Sequence, residues 1–355
     1  MKISSQQEMV KGLEPHPGRR LQMDFSWVML VRHLTQNPKA LEQFYHARIA
    51  PQVMACTSTS VPLTTQAPPV VTTRPIPRLR AEEVSPADFK ELFKYPFPVV
   101  IENFAGESYA VKHWSPEYFR DKYGDIQVPF FKGKEYWNIE QGSMAELIDD
   151  ILAGGKERKY VNNIADIFHT IPELQAALPI DKFAAFMGDR KHNKTQIFLG
   201  GTATGTGLHC ANKFNLFVMI YGQKRWTFVH PKHSPWLYPT SQKNFQFVHA
   251  PISATYQYDP ERYPLIGSVP RYTTVLNPGD VLVNPPWWWH AVENLSASSI
   301  GVATRWMTDW ESVDGWKTNP LFSALEKLSP HYWKFAIKYY LLGIARRDSD
   351  GSLSH

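Results

Sequence analysis

Cysteine is scarce in this sequence: Cys56 and Cys210 are the only two among 355 residues. Two cysteines cannot build a disulfide framework, and no Cys-x-x-Cys pair is present to hold zinc or to carry redox chemistry. The first residues also lack the basic, apolar and small-residue pattern of a secretory signal peptide. These absences favour a reducing compartment, and we predict a soluble, intracellular protein of the cytoplasm.

Long blocks of one charge and long apolar runs are missing as well. The 38 basic residues face 33 acidic ones, and the formal net charge of +5 is spread thinly along the chain. This pattern gives little support to nucleic-acid binding. No stretch approaches the roughly 20 apolar residues needed to cross a bilayer. Neither a nucleic acid nor a membrane is therefore expected as a partner.

Apolar and aromatic residues are plentiful, at 43% and 14% of the chain. This composition is typical of a globular protein with a large core and excludes disorder throughout. We predict one catalytic domain with appendages. Helical periodicity, a Thr/Pro-rich stretch and a final apolar segment suggest the boundaries. They are an N-terminal helical extension (1–56), a linker or arm (57–77), the catalytic domain (78–312), C-terminal helices (313–347) and a disordered tail (348–355).

The middle of the chain changes from mixed to strand-dominated after Tyr160. Three helices are predicted before that point, and short apolar runs separated by turn signals follow it. The predicted helices are 85–93, 114–123 and 144–152, and the runs are 196–199, 214–221, 226–229, 273–276, 280–283 and 299–303. Many short strands without helices between them predict a barrel or sandwich.

Two segments, 205–215 and 277–290, contain the residues most suited to chemistry. His209 lies in the first and His290 in the second, each beside a predicted strand. Neutral imidazole suits iron(II), and two such ligands leave coordination positions open. A single histidine beside a strand is usually an ordinary polar residue. The pattern around these two is what favours a metal site.

That pattern resembles the JmjC/cupin-type (cupin_8-like) oxygenases, nearest to the asparaginyl hydroxylase branch. The likeness runs from His209 through Lys224 to Pro231 and continues through a Pro-Gly-Asp turn to the run 285–294. It implies a mainly β, double-stranded β-helix (jelly-roll, cupin) core with flanking helices. It also implies an enzyme of the iron(II)- and 2-oxoglutarate-dependent dioxygenase superfamily that hydroxylates a C–H bond of an unknown small molecule or protein side chain.

The resemblance assigns roles position by position. His209 and His290 match the two metal ligands, and Lys224 matches the lysine that binds the distal carboxylate of 2-oxoglutarate, since a buried cation suits that group. Further cosubstrate contacts fall on Tyr160, Thr206 and Asn215. The run Trp287–Trp289 is expected to pack mainly in the core, whereas Phe130, Phe131, Tyr136 and Trp137 fall where the family has substrate-facing loops.

One departure from the family motif concerns the third metal ligand. The family has His-x-Asp or His-x-Glu, whose carboxylate completes a facial triad. This chain has His209-Cys210-Ala211, and alanine has no donor atom. Cys210 is expected to point away from the metal, because side chains alternate along a strand. Asn212 is another nearby polar candidate, whereas Asp280 and Glu293 are expected to orient neighbours rather than bind metal.

Three explanations of Ala211 remain open. In related halogenases an alanine or glycine at this position leaves room for chloride, so the chain is alternatively a halogenase. A hydroxylase could instead use water, or a carboxylate from the segment 241–262 such as Asp259 or Glu261. The third alternative is a non-catalytic cupin-like binding protein.

The C-terminal segment Leu321 to Ala345 predicts two helices separated at Ser329–Pro330, because proline suits a helix start. Its apolar surface exceeds what a helix exposed to solvent needs. Comparable helices in the hydroxylases that the chain resembles form a dimer, so a homodimer through the C-terminal helices is predicted.

Overall fold

A computed structural model describes residues 19–35, 45–52, 73–94, 96–132, 139–202, 204–241, 246–307, 313–329, 346–347 and 353–354. Its α-helices are α1 Arg19–Thr35, α2 Pro86–Lys94, α3 Tyr109–His113, α4 Pro116–Tyr123, α5 Met144–Leu152, α6 Asp166–Thr170, α7 Pro172–Ala176, α8 Ile180–Met187, α9 Val313–Thr318 and α10 Pro320–Leu328. Short π- or 3-10 helices are Tyr45–Ile49, Ala81–Glu83, Pro231–Trp236 and Pro264–Ser268.

The strands are more numerous and longer in the second half of the chain. They are β1 Thr73–Pro75, β2 Arg78–Arg80, β3 Val99–Glu102, β4 Gln127–Phe131, β5 Ile139–Ser143, β6 Tyr160–Ile164, β7 Lys191–Gly200, β8 Gly205–Ala211, β9 Phe214–Tyr221, β10 Lys224–Val229, β11 Thr240–Ser241, β12 Phe247–His249, β13 Arg271–Leu276, β14 Val281–Asn284, β15 Trp289–Asn294, β16 Ser299–Met307, β17 Arg346–Arg347 and β18 Leu353–Ser354.

Two large sheets form the centre of the fold. The first has the strand order β1-β13-β10-β15-β8-β12-β11, and the second has β2-β3-β14-β9-β16-β7-β6-β4-β5. The central pairings of both sheets are antiparallel, from β13 to β8 in one and from β14 to β7 in the other. This arrangement is the double-stranded β-helix that the sequence predicts, with helices around it, and the predicted fold class is confirmed.

Alternation along the strands divides the core into three layers. On β14, Leu282 belongs to a cluster between the two sheets, together with Phe217, Trp226 and Val292. Its neighbours Val281 and Val283 belong to the cluster under α2–α8. Successive strand residues face opposite sides, so one apolar run supplies both layers. The uninterrupted apolar runs of the sequence therefore mark strands that are buried on both faces.

The predicted helices lie close to the observed ones. The prediction 144–152 coincides with α5, where Ser143 accepts the N–H of Glu146 and the Glu146 carboxylate accepts the N–H of Ser143, a capping box. The prediction 114–123 covers α4 but missed α3 just before it. Helices α6 to α8 were also missed, because their short lengths give a weak periodic signal.

The first and last described helices pack on the outer face of the first sheet. Phe25 and Met29 of α1 and Phe322 of α10 share one buried cluster with Trp287 and Trp289. A buried ion pair also ties α9 to the core, since the Arg190 guanidinium donates to the Asp314 carboxylate at 2.7 Å through Nε. The domain boundaries drawn from the sequence stay predictions.

The second predicted C-terminal helix, beyond Pro330, lies outside the described residues, and so does most of the predicted linker 57–77. The apolar face of α10 packs within the chain, and dimerisation stays a prediction. Among the helices that the structure describes, none is both long and apolar enough to cross a membrane.

Candidate active site

Two histidines meet on the inner face of the first sheet. His209 on β8 and His290 on β15 are register partners on adjacent antiparallel strands. Their ring centroids are 4.2 Å apart. In each ring Nδ1 lies against a carbonyl two residues back, 2.9 Å from Gly207 O and 2.8 Å from Trp288 O. A carbonyl only accepts, so Nδ1 carries the proton and Nε2 keeps the lone pair that a metal needs.

Both imidazoles are held in the neutral form. Burial lowers the pKa of His290 to about 4, with a smaller contribution from the charge of Arg305. Burial also lowers the pKa of His209 well below its usual value, helped by His290 and His249. Because a metal binds the unprotonated imidazole, these two rings are ready for a metal at neutral pH without losing a proton first.

Ala211 lies two residues beyond His209 and therefore on the same face of β8. Cys210, between them, is fully buried in the opposite, outer cluster. Burial raises the pKa of its thiol well above the usual value, so it stays protonated. Cys210 thus points away from the histidines, as the alternation predicts, and a methyl group stands where the family motif has its carboxylate.

No other described side chain supplies that carboxylate. Within the part of the chain that the structure covers, no three His, Cys, Asp or Glu residues are grouped so as to hold a metal. Asp259 and Glu261 are both exposed, and the Asp259 carboxylate accepts the N–H groups of Glu261 and Arg262. The structure does not bring either of these two candidates to the histidines.

Lys224 stands deep between the sheets. It is 0% exposed, and its Nζ donates to Asn294 Oδ1 at 2.5 Å and to Ser299 Oγ at 3.2 Å. The centroid of the Tyr160 ring lies 5.7 Å from Lys224 Nζ. Burial lowers the pKa of Lys224 to about 7. No carboxylate of the described residues pairs with it, and a buried ammonium with neutral partners alone is a strong site for an anion.

A β-bulge turns Thr206 toward the site. Between β8 and β15 the register passes from the pair His290–His209 to the pair Val292–Thr206. Two residues along β15 are therefore matched by three along β8. The extra residue reverses the alternation, and Thr206 faces the same side as His209. Simple alternation would have placed Thr206 on the outer face, so the cosubstrate role predicted for it depends on this irregularity.

Several buried polar atoms around the histidines lack a hydrogen-bond partner among the residues that the structure describes. They are Oδ1 of Asn215, Oδ1 of Asn284 and the indole Nε1 of Trp226. Asn215 and Asn284 are register partners across β9 and β14, and Asn284 Nδ2 lies 3.4 Å from a ring nitrogen of His290. Trp226 stacks on His290 with centroids 5.3 Å apart. Buried polar atoms are normally paired, so this cluster fits a polar ligand between the sheets.

Five residues in or beside the site, Asn284 among them, were not picked out from the sequence. Asn294 could have been found, because counting in twos from His290 places it on the inner face. Ser299, His249 and Arg305 could not, because their positions depend on which strands pair. His249 is the register partner of His209 on the side away from His290, with ring centroids 5.9 Å apart.

The remaining candidates have structural roles. All three tryptophans of the 287–289 run are buried, which confirms core packing. Phe130 also packs in a core cluster, while Tyr136 and Trp137 lie outside the described residues. Asp280 accepts the N–H of Asn277 in the turn before β14. Glu293 pairs with Arg225, and the Asn212 amide donates to Glu326.

Two antiparallel sheets that enclose a histidine pair and a buried lysine define a cupin-type domain with a candidate metal site. The chain belongs to the cupin-like family: the family model described as "Cupin-like domain" matches residues 86–312. JmjC-type proteins are among its relatives, and proteins of that type generally use iron(II) and 2-oxoglutarate. The predicted closeness to the asparaginyl hydroxylase branch stays a prediction.

Three relatives show the extent of the likeness. The chain is 30% identical over 213 residues to "Jumonji C domain-containing protein 5" of Drosophila melanogaster, covering 55% of this chain and 52% of that protein. It is 26% identical over 223 residues to "JmjC domain-containing protein D" of Dictyostelium discoideum, covering 57% and 50%. It is 25% identical over 217 residues to "Lysine-specific demethylase 8" of Xenopus tropicalis, covering 57% and 46%. The chain thus spans about half the length of these curated relatives.

Proposed function

We propose that this protein catalyses the iron(II)- and 2-oxoglutarate-dependent hydroxylation of a substrate C–H bond through a two-histidine iron site. The observation that carries the proposal is the inner surface of the barrel. It holds two neutral imidazoles side by side and, deeper between the sheets, a buried lysine that no described carboxylate neutralises. This surface suits a divalent metal at the imidazoles and a dicarboxylate at the lysine at the same time.

The residues fit both groups. His209 and His290 would hold iron through Nε2, and Lys224 would bind the distal carboxylate of 2-oxoglutarate, with Tyr160 and Thr206 beside it. When bound, iron(II) and 2-oxoglutarate supply the oxidation: dioxygen is consumed, succinate and carbon dioxide are released, and one oxygen atom enters a substrate C–H bond. The protein itself contributes position and a dry environment.

Each residue has a separate task in this scheme. The backbone carbonyls of Gly207 and Trp288 fix the orientation of the two rings. Lys224 and its partner Asn294 set how deep the cosubstrate enters. Trp226 stacks on one face of His290 and holds the ring in place. Asn215 and Asn284 offer amide groups that can donate to a carboxylate or accept from a bound water.

Binding measurements test the proposal directly. Protein purified without oxygen is expected to bind one iron(II), and then one 2-oxoglutarate, as followed by metal analysis and calorimetry. Aerobic incubation should then release succinate. Protein that binds neither iron nor 2-oxoglutarate would rule out the enzyme and leave the alternative of a non-catalytic cupin-like binding protein.

The pH dependence of cosubstrate binding follows from Lys224. Its pKa is about 7 in the empty site, and the cosubstrate binds the ammonium form. Above pH 7 each bound 2-oxoglutarate must therefore draw a proton onto Lys224. We expect the dissociation constant to rise about tenfold per pH unit between pH 7.5 and 9. Calorimetry with manganese(II), repeated in buffers of different ionisation enthalpy, measures both affinity and proton uptake. A constant affinity over this range would contradict the assignment.

Ala211 supports a second candidate, a 2-oxoglutarate-dependent halogenase in which chloride takes the place of the missing carboxylate. Ala211→Asp separates the two reactions. Loss of an outer partner of a metal ligand already changes metal affinity by about 10- to 100-fold, so a new carboxylate ligand should tighten iron binding at least as much. A hydroxylase should then form succinate faster, whereas a halogenase should lose its dependence on chloride. Ala211→Asn, which has the same shape without the charge, is the matched control.

A further inference from the structure

A charged side chain that the proposed reaction does not use lies at the same site. Arg305 on β16 is the register partner of Asn215, so the two share one face of the second sheet. Its Nε donates to Gln196 Oε1 at 3.1 Å. Among the residues that the structure describes, no carboxylate pairs with it and its two terminal nitrogens have no hydrogen-bond acceptor. A half-buried guanidinium in this state keeps two parallel donors available for a ligand.

Arg305 lies in the row of polar side chains that leads to the candidate metal ligands. Its register partner Asn215 pairs in turn with Asn284, whose Nδ2 lies 3.4 Å from a ring nitrogen of His290. Burial lowers the pKa of Arg305 to about 10, so it remains charged at neutral pH. The histidine end of the space between the sheets is therefore positive even before a metal binds.

The cosubstrate is held at a different depth. Lys224 Nζ contacts Ser299, and the Lys224 side chain fills the space beside Gly301. Arg305 lies four residues beyond Gly301 on the same strand, about 13 Å at 3.3 Å per residue. In the proposed function, one carboxylate of 2-oxoglutarate would be held by Lys224 and the other end of the molecule by the metal, so neither end would be left for Arg305. Arg305 is therefore available for a second anion at the histidine end.

The sum of the charges at the site also favours a second anion. With Ala211 in the motif, the described site offers two cationic side chains and a divalent metal but no acidic side chain. One 2-oxoglutarate dianion neutralises only half of that charge. Excess positive charge in a buried site is costly unless an anion enters with it. A guanidinium binds a carboxylate in a planar, two-point geometry.

We propose that Arg305 binds a carboxylate of the substrate, which makes the substrate an organic acid that is oriented over the metal by this salt bridge. The inference rests on the proposed function and adds a substrate class to it. It also gives Arg305 a specificity role, because uncharged analogues of the same shape would leave the guanidinium without an acceptor.

Fluorine NMR with trifluoroacetate as the probe tests this. Full-length protein is loaded with manganese(II) and 2-oxoglutarate, and the paramagnetic ion speeds the relaxation of a probe bound beside it. Wild type should give a saturable enhancement. Arg305→Gln should weaken probe binding about tenfold, as expected for loss of a charge-assisted hydrogen-bond pair. Arg305→Lys should retain part of the affinity for the probe. Arg225→Gln, a surface arginine paired with Glu293, is the matched control and should behave as wild type.

Competition identifies the kind of anion. Acetate should displace the probe, whereas acetamide, which has the same shape and no charge, should not. Chloride displacing the probe better than acetate would overturn the proposal in favour of a halide site. Equal probe binding by wild type and Arg305→Gln would overturn it as well.

The two levels of the hypothesis fail in different ways. Manganese and 2-oxoglutarate binding are measured first, by electron paramagnetic resonance and calorimetry. If they are absent, the proposed function falls and this inference falls with it. If both bind to wild type and to Arg305→Gln but the probe does not distinguish the two proteins, the substrate class alone is wrong.

Discussion

Replacing either His209 or His290 with alanine is expected to lower the affinity for iron(II) by more than about 100-fold, because even outer partners of metal ligands contribute about 10- to 100-fold. In the proposed site, where Ala211 supplies no ligand, each histidine is half of the protein's ligand set, so loss of one leaves a single ligand. The effect should be larger than in a three-ligand site. Metal titration under anaerobic conditions, with manganese(II) and electron paramagnetic resonance as a second readout, measures it.

His249→Gln is the matched control for these variants. His249 lies in the same row of the sheet as His209 and His290, but on the far side of His209. Its Nε2 is buried without a hydrogen-bond partner in the described structure, so it tests whether any nearby histidine matters. We expect unchanged metal affinity. A loss equal to that of His209→Ala would show instead that three histidines bind the metal, and the two-histidine assignment would be wrong.

Lys224→Met is expected to weaken 2-oxoglutarate binding by about 100-fold or more, because a buried anion that loses its cation is left unpaired, a change of on the order of 3–5 kcal/mol. Methionine keeps the length and apolar stem of lysine and fits a site with 0% exposure. Metal binding should remain, since the histidines are untouched. Calorimetry with manganese(II)-loaded protein measures the change, and Lys90→Met, at an exposed position on α2, is the control. Unaltered 2-oxoglutarate affinity would remove Lys224 from the site.

The same variant should make the empty protein more stable below pH 7. The pKa of Lys224 is lower in the folded protein, about 7, than its ordinary value of 10.5, so the unfolded chain binds more protons between these values. Wild-type stability therefore rises with pH across that window, and the cost of the buried charge is fully present below it. At pH 6 we expect Lys224→Met to raise the free energy of unfolding by on the order of 2 kcal/mol, after the lost hydrogen bonds are counted. Near pH 10 we expect almost no difference in this free energy. Urea unfolding at both pH values measures this difference.

A buried charged residue that lowers the stability of the empty protein, as Lys224 is expected to do, indicates a ligand site. A protein that needed Lys224 only for folding would gain nothing by burying an ammonium with neutral partners alone among the described residues. The same reasoning applies to Arg305 and to the unpartnered amides of Asn215 and Asn284. Asn284, Asn215 and Arg305 lie on the adjacent strands β14, β9 and β16 of the second sheet, near the histidines, where a bound anion and metal would satisfy them together.

Sequence alone determined the parts of this protein that depend on local pattern and residue chemistry. Short apolar runs separated by turns predicted the strands of a barrel or sandwich, the family resemblance specified a jelly roll, and the apolar run 144–152 predicted α5. His209, His290 and Lys224 stood out because their residue types and spacing resemble a known family. Ala211 stood out by the same comparison. Alternation along β8 correctly turned Cys210 away from the histidines, since neighbouring residues in a strand face opposite sides.

Tertiary structure decided what depends on strand pairing. Thr206 faces the site only because a bulge shifts the register between β8 and β15. Arg305, more than 90 residues after His209 in sequence, reaches the histidines because β16 pairs with β9 and the second sheet faces the first. Lys224 has a lowered pKa because two sheets close over it and exclude water, which no residue pattern along one strand encodes. Register and burial are properties of the assembled sheets, and they fix which charges meet at the site.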